Sequence, residues 1–109
     1  MVSPLENSNR GSGSFTIKID VSKGLKINNI TIETTNPCGE IFVKLDQYDE
    51  GGGLIKHFNK GTFSNTGSWS RPHAWHGEHT VIKDGEIRAS VLNQSGIDIS
   101  TIMVVNPVE

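Results

Sequence analysis

The chain is short of most residues that announce a chemistry. Of 109 residues, one is cysteine, four are proline and 6% are aromatic. A single thiol excludes an internal disulfide framework and any zinc site built from paired cysteines. Cys38 sits in the turn sequence Asn36-Pro37-Cys38-Gly39 with no adjacent Lys, Arg or His to activate it, and reads as an inert small residue. No apolar run reaches the roughly eighteen residues that a membrane-crossing helix requires, and residues 1–14 carry no apolar stretch of signal-peptide length. Ten Lys and Arg stand against twelve Asp and Glu, a net charge of −2 spread without runs. There is thus no basic stripe to release counterions from nucleic acid, and neither a nucleic acid nor a membrane span is expected. The compartment stays open.

Catalytic signatures are missing too: the sequence holds no GxSxG, Walker A, GxGxxG, HExxH or CxxC pattern. The glycine run 51–53 lacks the Lys-Ser/Thr that would follow it in a phosphate loop. Asp46, Asp49 and Glu50 precede it, but not with EF-hand spacing, so an acidic, solvated hairpin is expected over a calcium site. A non-enzymatic protein without a cofactor follows.

What is present is short apolar periodicity. Hydrophobic residues make up 34% of the chain and gather in brief runs between glycines, serines and asparagines. Residues 14–21 alternate with Phe15, Ile17, Ile19 and Val21 on one side, the mark of a strand with one buried face. Residues 25–32 alternate with a change of parity between Ile27 and Ile30, which predicts a β-bulge at Asn28-Asn29. A strand over 40–46 puts Ile41, Val43 and Leu45 inside, and 49–53 turns the chain into a partner strand from Leu54. Lys83-Asp84-Gly85, between 79–82 and 86–92, reads as a hairpin turn, and 97–105 as a central strand.

Seven to eight short strands with no helical period predict an all-β protein, a single small antiparallel β-sandwich of jelly-roll type over residues 15–109, preceded by a flexible polar tail over 1–14. Strand count and turn placement are similar to those of small jelly-roll modules, such as carbohydrate-binding modules and the lectin-like third domain of insecticidal crystal toxins. That resemblance implies ligand binding over catalysis.

One segment stands apart. Residues 68–79, SWSRPHAWHGEH, hold both tryptophans and three of the four histidines. Extended, Trp69 and Trp75 share a side with Arg71 and His73 between them, and a flat ring beside polar donors suits a sugar. The expected function is therefore recognition of a glycan or other small polar ligand by an irregular loop: Trp69 and Trp75 stack, Arg71 donates, His73 and His76 make polar contacts. The plainer reading has one or both indoles plugging the sandwich. His73, His76 and His79 form a weak metal candidate, with His57 as a further ligand, because an extended chain turns His76 away from the other two. The rival function is a structural or self-assembling subunit of a virion, filament or toxin complex, using the sandwich and the N-terminal tail for homo-oligomeric contacts.

Overall fold

The computed structural model describes residues 3–34, 40–64, 67–69 and 74–108, with 63–64 and 67–69 described by backbone alone. Within them lie nine strands: β1 (Leu5–Gly11), β2 (Phe15–Val21), β3 (Lys26–Thr34), β4 (Glu40–Asp49), β5 (Leu54–Ser64), β6 (Gly67–Trp69), β7 (Trp75–Thr80), β8 (Gly85–Asn93) and β9 (Ile99–Pro107). One antiparallel sheet runs β1-β9-β3 and continues along the far edge of β3, where β6 and β7 lie end to end. The other runs β2-β8-β4-β5. Nine segments thus fill eight positions in two facing sheets, the arrangement of a jelly-roll sandwich.

Period-two patterning explains the layers. Ile17, Ile19 and Val21 of β2, Ile41, Val43 and Leu45 of β4, and Ile87, Ala89 and Val91 of β8 are buried. From the other sheet, Ile27, Ile30 and Ile32 of β3 and Met103 and Val105 of β9 meet them. Each such aliphatic side chain contributes about 1.5–3 kcal/mol on burial. The bulge expected at Asn28-Asn29 is present: the register of β3 shifts between Ile27 and Asn29 against both neighbours, and this keeps Ile27 and Ile30 on one face. β9 lies between β1 and β3, the central place that its apolar end implies.

Three expectations need correction. The polar N-terminus is not a loose tail, since Leu5–Gly11 pairs with Ile99–Val105, seven of the nine residues of β9. Its side chains look unsuited to a core because they serve the seam between the sheets. Asn7 Nδ2 donates to the Lys18 carbonyl (2.8 Å) and Asn9 Nδ2 to the Thr16 carbonyl (2.9 Å), both on the edge strand β2. Each asparagine also accepts from the next backbone N–H, that of Ser8 or Arg10.

Lys83-Asp84-Gly85 does not close a hairpin either. β7 pairs with β3 in one sheet and β8 with β2 and β4 in the other, so this turn carries the chain across the sandwich. Val81 exchanges hydrogen bonds with Leu25 and Gly24, and Asp84 accepts from Lys23 N–H, tying the crossing to the turn after β2. Gly85 is needed for close approach: a Cβ there would run into the Tyr48 carbonyl oxygen of β4.

The third correction is to 68–79, which is not one irregular loop. β6 and β7 take its two ends into the edge of the first sheet.

Candidate functional site

β7 begins at Trp75 because alternation there matches a half-buried edge strand. Trp75, Gly77 and His79 are half-buried, while His76, Glu78 and Thr80 face solvent. Across from them stands β5, the edge of the other sheet. The Phe58 ring meets Trp75 edge-on, with centroids 4.9 Å apart at 66°, and meets His79 at 5.4 Å and 85°. Such edge-to-face pairs add about 0.5–1.5 kcal/mol beyond the area they bury. The Lys56 ammonium lies 5.7 Å from the Phe58 ring centre and 6.0 Å from that of Trp75. Gly77 seats the indole, since a Cβ at that position would lie 3.1 Å from Trp75 Cζ2. Asn59 closes the same edge by donating to the Ala74 carbonyl at 2.6 Å.

Behind these rings His79 Nε2–H donates to Gln47 Oε1 at 2.6 Å. Gln47 is fully buried, and its amide nitrogen has no hydrogen-bond partner among the described residues. Burial, and then the charge of Lys56, hold the His79 imidazolium below its ordinary range, so the neutral ring is favoured.

A second polar group lies on the outward face of the other sheet. Asp46 is 1% exposed although its parity points outward. Its Oδ1 is 2.6 Å from His57 Nδ1, its Oδ2 accepts from Tyr48 O–H at 3.3 Å, and Lys44 Nζ stands 3.6 Å away. Arg88 lies over the Tyr48 ring at 4.2 Å. Among the described residues no hydrogen bond joins His57 to a serine, threonine or cysteine.

Of the predicted recognition residues, only Trp69, Trp75 and His76 fall within the described residues. Arg71 and His73 lie outside the described residues, as does Cys38. Trp69 is placed by its backbone, opposite Ile32 in β6. Trp75 is half-buried against Phe58, and His76 stands on the opposite side of β7 from His79. His57, the suggested fourth ligand, belongs to the outer face with Asp46. Among the described residues no three His, Cys, Asp or Glu side chains gather as a metal site. Asp49 uses Oδ1 to accept from Gly51 and Gly53 N–H, which makes it a turn residue. Sequence reasoning missed the Gln47–His79 and Asp46–His57 pairs. Their only signal was two adjacent polar residues, Asp46-Gln47, in the middle of an otherwise alternating strand.

No protein-family model matches the chain, and no curated protein matches it. Solved structures do. The SPBc2 prophage-derived protein YomS aligns at a TM-score of 0.57 with 13% identity, over 96% of each chain. PirA aligns at 0.51 with 12% identity, over 96% of this chain and 95% of its own. At such identities the likeness establishes the shared sandwich fold along the entire chain.

Proposed function

We propose that this chain is a non-enzymatic structural subunit that assembles through its β-sandwich. The observation that carries this reading is the likeness to a prophage-derived protein, YomS, which spans 96% of each chain. The fate of the 75–79 segment supports it: Trp75, His79 and Phe58 are occupied with one another and with Gln47 in closing the sandwich. The glycan reading rests on Trp69, Arg71, His73, Trp75 and His76, of which Arg71 and His73 lie outside the described residues.

The test is solution mass by sedimentation equilibrium over about a hundredfold range of protein concentration, where mass action reveals self-association. Mass rising above that of one chain is expected. A monomer throughout, together with glycan binding lost in Trp75→Ala, would reverse the assignment in favour of recognition.

A further inference from the structure

Along the first half of β4 the outward side chains are Glu40, Phe42 and Lys44, because Ile41, Val43 and Leu45 between them point into the core. The ring on the solvent side is the unusual member. Phe42 is half-buried, but not by the core, where the partly buried rings that pack are Phe15, Phe58 and Trp75. Its cross-strand partner on β8 is Leu92, which is 42% exposed. Together they border a shallow groove of about 300 Å³ that Phe15, Thr16, Ser90 and Lys44 also line. Among the described residues no strand crosses this groove.

Strand register arranges the charges around the apolar pair in rows. Leu92, Phe42 and Thr62 stand side by side in one row. On one side of it stands Glu40, exposed and with no ion pair among the described residues. On the other side stand Thr16, Ser90, Lys44 and Lys60. Lys44 lies 3.6 Å from the buried Asp46 carboxylate, yet its side chain remains 48% exposed. Lys60 is exposed as well. This part of a face of mixed charge therefore reads, along the strand, negative, apolar, positive.

We infer that two copies of the chain stack face to face through this patch, about a two-fold axis that runs across the strands along the row of Leu92, Phe42 and Thr62. Rotation about such an axis reverses the strand direction and exchanges the rows on either side. Phe42 and Leu92 then meet their own counterparts, and Glu40 of each copy stands against Lys44 of the other. A patch complementary to itself is what an isologous contact requires. An axis along the strands would instead set Glu40 against Glu40 and Lys44 against Lys44, so the charges select one orientation. They also favour this occupant over a polymer of single charge, which would meet a like charge on one side of the groove. Stacked sheets lie about 10 Å apart, a spacing that lets the opposed rings and leucines fill both grooves. The apolar centre is small, so the dimer belongs to the weak, concentration-dependent class. This rests on the assembly reading above and gives it a contact.

The experiment is sedimentation equilibrium of the full chain, with circular dichroism and the urea midpoint confirming that each variant folds. The wild-type mass should rise with concentration to that of two chains and level there. Leu92→Asp sets two carboxylates face to face at the axis and should leave only monomer. Glu40→Lys and Lys44→Glu should each weaken association by about tenfold or more, since either reversal acts twice in every dimer. An equimolar mixture of these two should recover the dimer, because each supplies the charge that the other has lost. Should Lys44→Glu fail to fold beside Asp46, Leu92→Asp and Glu40→Lys still decide. Association that ignores Leu92→Asp and Glu40→Lys overturns this contact while leaving assembly in place, and a folded mixture that stays monomeric overturns it too. A wild type that is monomeric at every concentration removes the assembly reading itself.

Discussion

At the scale of single residues, the same chemistry serves different ends according to strand parity. His79 and His76 are three apart on β7, yet one ring is half-buried against Phe58 and Gln47 and the other meets solvent. Because burial and Lys56 lower the proton affinity of His79, its usual value near 6.5 belongs to the unfolded chain alone. The unfolded chain therefore takes up the proton first as the pH drops. Stability linked to this ring is complete above pH 6.5 and is lost as the pH falls below it toward the folded-state value. The urea midpoint of the wild type should fall more steeply from about pH 7 to about pH 5 than that of His79→Gln, by less than about 1 kcal/mol since the ring keeps solvent contact. Equal slopes would mean that His79 does not carry the effect.

Gly85 makes a sharper case. It is read as a turn glycine in the sequence, but its role is to let β8 pass the Tyr48 carbonyl, so Gly85→Ala should cost on the order of 3 kcal/mol in chemical denaturation. Gly96, at φ 80° in the turn before β9, has open space around it, and any cost of Gly96→Ala should come from backbone strain alone.

At the scale of elements, the two lateral seams are closed by one device. Asn7 and Asn9 donate the side-chain amide to carbonyls of the opposite sheet, Asn59 donates to the Ala74 carbonyl just before β7, and each accepts from the N–H of the following residue. This blunts exposed strand edges that would otherwise template pairing with another chain. Asn7→Ala/Asn9→Ala should lower stability by about 1–2 kcal/mol in total and raise the rate of aggregation on warming, read by light scattering. Unchanged aggregation with lowered stability would assign the asparagines to stability alone.

That device also explains why β1 was illegible. Strands with an apolar face, 15–21, 26–34, 40–49 and 99–107, announce themselves through Ile, Val and Phe at every second place. In β1 the inward parity is occupied by Asn7 and Asn9, which look like a polar linker until β2 stands beside them. The Asp84-Gly85 pair misleads for a related reason. A local turn signal says that the chain reverses; it does not say into which sheet, and here Val81 and Asp84 are claimed by residues 22–25.

At the scale of the whole molecule, two sheets, their bulge and their centre were open to reading because burial imposes a period that side chains obey. The candidate site was not. Trp75 acquires its meaning from Phe58, His79 from Gln47, and His57 from Asp46, all of them contacts between strands and not within one. An aromatic, histidine-rich stretch has the composition of a binding loop, but an edge strand over the mouth of a sandwich draws on the same residues to seal it.

The pairing of β1 with β9 joins the first strand to the last. During synthesis residues 5–11 emerge with their place in the sheet not yet made, and they have to wait until residues 99–105 have left the ribosome. Until that moment the carbonyls of Thr16 and Lys18 also lack their amide caps, so the newborn chain passes through a stage with an uncovered margin. The seven residues Leu5–Gly11 thereby act as the latch that completes this sheet.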